Sequence, residues 1–232
     1  MRKLFIMGGG GFAMEPDNLL LDRYLLSLAD KSTPKVCFVG TASGDSERYH
    51  DKFYSSYRTL LCVPSHLSLF KPHTEDIEGF ILEQDIIHVG GGNTRNLLIL
   101  WKEWGLDHVL QKAYSNGVVL SGMSAGMICW FEEFTTDSFG EELRKLSGLG
   151  WLKGSAVPHF DGEAKRLPTY LGMIERGEIL GGVALDDGVG ALYLDESLKE
   201  CVSSRSSAKG YRLEKHGNAV HQETMQTRFL GR

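Results

Sequence analysis

A serine between two glycines, Gly122-Met123-Ser124-Ala125-Gly126, is the stretch of this 232-residue sequence best suited to chemistry. It fits the G-x-S-x-G pattern of a nucleophile elbow, in which a sharp strand-to-helix turn lifts the hydroxyl from the edge of a sheet. The flanks agree: Val118-Val119-Leu120 reads as a strand before it, and residues 127–131 read as a helix after it. The glycines have a steric purpose, because such a turn forces the serine into strained backbone angles and leaves no room for bulky neighbours. The Ala125 N–H then lies at a helix N-terminus, aimed at negative charge developing on a carbonyl oxygen. The plainer reading of the pentapeptide is a serine-glycine helix cap. A second glycine loop, Gly90-Gly91-Gly92-Asn93-Thr94, favours chemistry, since Gly91 or Gly92 can lend another N–H to an oxyanion hole.

A serine nucleophile needs a base. Of the eight histidines, His88 lies in an apolar run, His108 in a helical segment, and His50, His66, His73, His216 and His221 in polar or terminal stretches. His159 differs, because it follows Pro158 and the small-residue run Ser155-Ala156-Val157, as at the end of a strand. An acid must orient the imidazole. Asp186 and Asp187, just before Gly188, and Asp137, after Thr135-Thr136, are the candidates. Spacing does not choose among them, since turn aspartates commonly serve only to close the turn. No HExxH or Cys/His ligand pattern appears, nor a dinucleotide fingerprint or Walker Lys-Ser/Thr, so no metal and no cofactor are expected.

The elements that must position these residues are short apolar runs alternating with amphipathic ones. Strands are predicted at residues 4–7, 35–40, 65–70, 85–89 and 117–121, and helices at 19–28, 47–61 and 97–112. This pattern predicts an α/β fold with a mostly parallel sheet and helices on both faces. In such sheets ligands sit beyond the carboxyl ends of the strands, so the glycine loops after Met7, Val89 and Ser121 are expected to meet in one crevice. The second half is less regular: a loop or short helix at 135–146, a helix at 164–175, strands at 183–185 and 190–194, and a β-meander in the tail. With no repeat or linker, one α/β domain over residues 1–232 is expected.

Composition limits the function classes. The chain is 42% hydrophobic and 24% charged, with a net charge of −5, which gives no pull towards nucleic acid or anionic membrane. No apolar stretch approaches the roughly 20 residues needed to cross a bilayer. Three of the four cysteines lie in apolar runs, which suits reduced thiols and a cytoplasmic location.

Taken together, the N-terminal glycine loop, Gly90-Gly91-Gly92-Asn93-Thr94, Gly122-Met123-Ser124-Ala125-Gly126, Thr135-Thr136-Asp137, Pro158-His159-Phe160 and Asp187-Gly188 resemble the family of peptidase E (aspartyl dipeptidase) and cyanophycinase. These are serine peptidases on a fold related to class I glutamine amidotransferases. The resemblance implies Ser124 as nucleophile and His159 as general base, with Asp187 in the place of the late acid and Asp186 and Asp137 as alternatives. It implies hydrolysis of dipeptides or short peptides, with an N-terminal aspartyl preference as the finer expectation. Asn93 and Thr94 are expected at the substrate, and Arg166 is the counterpart of an arginine that holds its acidic side chain. The segment from Phe160 to Arg166 is shorter than in aspartyl dipeptidase and carries Asp161 and Glu163, so a solvated helix face is the competing reading of Arg166. The expected partner is a small peptide, not nucleic acid or membrane, and a homodimer stays open. Two alternatives are a catalytically silent small-molecule binder on this fold and an esterase or amidase using the same serine.

Overall fold

The computed structural model of the protein describes residues 1–140, 142–162, 166–217 and 219–231. The first half alternates strand and helix: β1 (Lys3–Met7), α1 (Gly11–Met14), α2 (Leu20–Ser27), β2 (Lys35–Val39), α3 (Glu47–Tyr57), β3 (Val63–Leu67), α4 (Ile77–Leu82), β4 (Ile86–Val89), α5 (Thr94–Trp104), α6 (Leu106–Ser115), β5 (Val119–Met123) and α7 (Ala125–Ile128). The second half is mostly strand: β6 (Phe131–Thr136), β7 (Arg144–Ser147), β8 (Leu152–Val157), α8 (Arg166–Arg176), β9 (Gly182–Leu185), β10 (Val189–Leu194), β11 (Ser197–Ser203), β12 (Gly210–His216), β13 (Ala219–Met225) and β14 (Thr227–Phe229).

Among the described residues the strands form two sheets, an eight-stranded one in the order β14-β11-β10-β1-β5-β4-β2-β3 and a six-stranded one in the order β13-β12-β9-β8-β6-β7. The neighbours β1, β5, β4, β2 and β3 are all parallel, and β10 joins antiparallel on the other side of β1. This is the mostly parallel α/β sheet that the apolar runs predict. Successive side chains enter opposite cores. Leu4, Ile6, Ile87 and Val89 pack with Leu97, Trp101 and Leu110 on one face. Phe5, Met7, Phe38 and Ile86 pack with Phe12, Leu21, Phe53 and Tyr57 on the other. Helices cover both faces, so neither side of a strand tolerates polar residues, and the runs are continuous rather than alternating. The first core extends into the small sheet through Phe134, Leu152, Val183 and Leu185. Among the described residues no helix is long and apolar enough to cross a membrane.

Several elements differ from expectation. The helix predicted at 97–112 divides at Gly105, whose φ of 66° ends α5 and starts α6. The helix after Ser124 is one turn, and Phe131 already begins β6. The ends of the span 135–146 are strand rather than loop or helix: β6 runs to Thr136 and β7 starts at Arg144, paired antiparallel with Thr135 opposite Lys145, and the described residues between them are turn and loop. The tail is not one meander, because β11 and β14 extend the large sheet while the β12–β13 hairpin closes an edge of the small one. The helix predicted at 164–175 is α8, and residues 164 and 165 lie outside the described residues.

Candidate active site

β5 delivers Ser124 at φ 55°, ψ −110°, a conformation that costs a residue with a side chain about 1–3 kcal/mol. Packing holds it there. The Ser124 N–H donates to the Met7 carbonyl at 3.1 Å, and its own carbonyl accepts from Met127 and Ile128 at 2.9 and 3.1 Å. A Cβ at Gly122 would come 2.1 Å from the Gly126 carbonyl oxygen, and one at Gly126 would come 2.3 Å from that of Val89. Both glycines are therefore required because α7 folds back onto β5 and β4 with backbone against backbone. Gly91, in the loop after β4, lies over Ser124: a Cβ there would be 3.2 Å from Ser124 Cβ.

His159 follows β8, also at positive φ, 52°. Its Nδ1 is 2.6 Å from Asp187 Oδ1, and only 14% and 12% of the two side chains are exposed. Asp187 is fixed by its own backbone, whose N–H donates to Asp161 Oδ1 at 2.8 Å, and by a parallel bridge to Gly9. The Gly188 N–H also donates to the Gly9 carbonyl at 3.0 Å. A Cβ on Gly9 would come 1.9 Å from Asp187 Oδ1 and 2.9 Å from His159 Nδ1, so the N-terminal glycine loop is what makes room for this pair. Burial alone would raise the Asp187 carboxyl. The His159 hydrogen bond and charge, with Arg205 and Arg166 nearby, outweigh it and hold the group below the usual carboxylate range. An imidazole bonded through Nδ1 keeps Nε2 for proton transfer. Ser124 and His159 line one cavity of about 480 Å³ with Gly91, Gly92, Arg48, Tyr49 and Lys52.

The other candidate acids sit elsewhere. Asp186 Oδ2 accepts the Lys209 N–H at 2.9 Å, and burial pushes its carboxyl up to about 6. The Asp137 side chain is 58% exposed and lies 3.7 Å from Arg166 Nη2. Of the three, only Asp187 meets His159. His88 is a core histidine: fully buried, 3.1 Å from Ser121 Oγ, and driven down to about 3 by burial.

Three expectations are corrected. The Gly91 N–H is already committed, donating to the Tyr49 hydroxyl at 3.3 Å, whereas among the described residues the Gly92 and Ala125 N–H groups find no acceptor. Asn93 caps α5, its Oδ1 accepting from Asn96 at 2.9 Å and its Nδ2 donating to Ser138 at 3.1 Å, while Thr94 is buried at the helix start. Neither lines the cavity. Arg166 is not on a solvated helix face: it is 5% exposed at the start of α8, though it too is absent from the cavity lining. The sequence reading missed Arg48, Tyr49 and Lys52 on α3. Their one signal is that positions 48 and 52 share a helix face, which in a sequence looks like any solvated face.

Residues 4–201 match the family model described as peptidase family S51. The chain is 52% identical over 231 residues to the uncharacterized peptidase YgaJ of Bacillus subtilis (strain 168), with 100% of both chains covered. Its fold is similar to that of a peptidase from an acI-B1 Actinobacterium, with a TM-score of 0.70, 15% identity, and coverage of 97% of this chain and 95% of that one. It is also similar to a protein from Listeria monocytogenes EGD-e, with a TM-score of 0.61, 17% identity, and coverage of 97% and 100%. At such identities the two structures speak for the fold, a class I glutamine amidotransferase-like one, and the family match speaks for the chemistry. The chain belongs to peptidase family S51, the peptidase E family, and is a serine-type peptidase.

Proposed function

We propose that this peptidase cleaves dipeptides or short peptides through an acyl-enzyme, with Ser124 as nucleophile, His159 as general base and Asp187 as the acid that orients it. The observation that carries the reading is the 2.6 Å contact between His159 Nδ1 and Asp187 Oδ1 beside the cavity that Ser124 also lines. His159 Nε2 takes the hydroxyl proton as Ser124 Oγ bonds to the peptide carbonyl carbon, and Asp187 stabilises the imidazolium. The Gly92 and Ala125 N–H groups are the donors for the oxyanion. His159 then protonates the leaving amine, and water, activated by the same imidazole, releases the acyl group. A cavity of about 480 Å³ supports a substrate of a few residues, within the range of roughly 300–1,000 Å³ typical of small-ligand sites.

The finer part of the proposal is an N-terminal aspartyl preference with Arg166 reading the substrate carboxylate. Arg166 lies 3.7 Å from the exposed Asp137 carboxylate, so a substrate acid would share or replace that partner. The test is fluorophosphonate labelling of the wild type and Ser124→Ala, followed by turnover of dipeptides varied at the N-terminal residue and of simple esters. Labelling that requires Ser124, together with dipeptide cleavage, is expected. A folded wild type that resists the label, or cleaves esters alone, overturns the reading. Equal turnover of Asp-X and Ala-X removes only the aspartyl preference.

A further inference from the structure

Tyr49, in the first turn of α3, has a rigid ring and a hydroxyl with one hydrogen-bonding capacity unspent. The ring packs on Phe12 and Phe38, with centroids 5.6 and 4.9 Å apart. Gly90 packs close to both the Phe38 and Tyr49 rings: a Cβ there would meet the Phe38 ring at 2.8 Å and a Tyr49 ring carbon at 3.1 Å. The residue lines the cavity that holds Ser124 and His159. Its oxygen accepts the Gly91 N–H at 3.3 Å, and among the described residues no acceptor takes its own proton. A hydroxyl donates one hydrogen bond besides those it accepts. Gly91 itself lies against the nucleophile, with its would-be Cβ 3.2 Å from Ser124 Cβ.

We propose that Tyr49 is a catalytic residue whose hydroxyl, in place of the Gly91 N–H, hydrogen-bonds the oxyanion formed on the substrate carbonyl, together with Gly92 and Ala125. The inference rests on the Ser124 acyl-enzyme reading. As the Ser124 Oγ–carbon bond forms, the carbonyl π pair moves onto oxygen and the serine proton goes to His159. Tyr49 keeps its proton throughout and supplies only a hydrogen bond. Accepting the Gly91 N–H polarises the O–H and strengthens it as a donor. Burial, with the Asp22 carboxyl nearby, pushes the Tyr49 hydroxyl up to about 12, so it stays protonated across the neutral range.

Tyr49→Phe keeps the ring and deletes the donor. The measurements are kcat and KM for a cleaved dipeptide, the affinity of the matching peptide aldehyde, and that of the reduced-amide isostere, which has no carbonyl oxygen. The aldehyde adds Ser124 across its carbonyl and so presents the oxygen in its tetrahedral form. A fall in kcat of about 10²-fold with KM little changed is expected, the usual scale for one oxyanion donor. Aldehyde affinity should fall in parallel while isostere affinity holds. Unchanged kcat, or equal weakening of aldehyde and isostere, overturns the proposal, because a wall of the site would behave that way. If Tyr49→Phe does not fold, 3-fluorotyrosine at position 49, a stronger donor, should bind the aldehyde more tightly, and unchanged affinity overturns the proposal. Dipeptide turnover retained by Ser124→Ala would instead remove the acyl-enzyme reading, whatever Tyr49→Phe does.

Discussion

The turn that holds Ser124 is shaped by backbone, whereas the orientation of His159 rests on side chains. The elbow is shaped by close approaches between main-chain atoms, the Gly126 and Val89 carbonyls filling the space that side chains at Gly122 and Gly126 would need. The other end is assembled from three separate segments, which supply Gly9, His159 with Asp161, and Asp187. Main-chain positions follow from strand register, so the first end is set once the sheet forms. The second end depends on rotamers and on charge, and can be altered while the sheet stays whole. Damage at the elbow should therefore reach folding as well as activity, and damage at the acid–base end should reach activity alone.

The largest effect expected is at Ser124. Ser124→Ala should lower kcat by on the order of 10⁴–10⁶-fold, leaving the residual rate that binding and oxyanion donors supply. Ser124→Gly should lose as much activity yet be more stable than Ser124→Ala by about 1 kcal/mol, because glycine accepts φ 55° without strain. Urea midpoints of the two variants read this, and equal midpoints would mean the elbow is not strained. Next comes Asp187→Asn, expected to cost about 10⁴-fold in kcat with the urea midpoint little changed. Asp186→Asn and Asp137→Asn should keep most of the activity. If only the Asp137 change abolishes turnover, the acid has been assigned to the wrong side of the cavity.

Smaller effects sharpen the same contrast. Arg166→Ala should raise KM for Asp-X dipeptides by about tenfold, the scale of a charged hydrogen bond, and spare neutral ones. A rise for both would make the arginine a structural partner of the neighbouring acids. The least effect concerns pH. The folded Asp186 carboxyl is raised to about 6, so its stabilising contribution is complete below the unfolded value of about 3.9 and is lost as pH rises through 6. Asp187 is lowered, so its contribution is present above that unfolded value and is lost only as pH falls below it. Between pH 4 and 7 this turn should therefore lose stability through Asp186. Asp186→Asn should flatten the dependence of the urea midpoint over that window, and an unchanged slope would place the titration elsewhere.

The two ends were not equally legible in the sequence. The elbow is a local motif whose glycines, flanking strand and short helix are contiguous, and the parallel sheet follows from apolar runs buried on both faces. The acid is not local. Asp186 and Asp187 are neighbours in one turn, and the choice between them is made by Gly9 bridging one while the Lys209 N–H bonds the other. The small sheet was hidden by charge. Glu132 and Glu133 interrupt β6, and their cross-strand partners Lys153 and Lys145, at 2.7 and 3.0 Å, become apparent only once the strands are paired. Arg166 and Tyr49 lie in helical segments where sequence alone does not say which face is covered.

The position of β1 between β5 and β10 has a consequence for the growing chain. Leu4-Phe5-Ile6-Met7 leaves the ribosome well before its parallel partner β5, and its antiparallel partner β10 follows later still. Until then one side of β1 is an open apolar edge, the kind of surface that recruits foreign strands. Asp187 lies two residues before β10 and bridges Gly9, so the event that seals the edge also brings Asp187 to His159. A nascent chain thus holds its serine elbow before His159 has its carboxylate partner. The proposed triad comes together only as the vulnerable edge disappears.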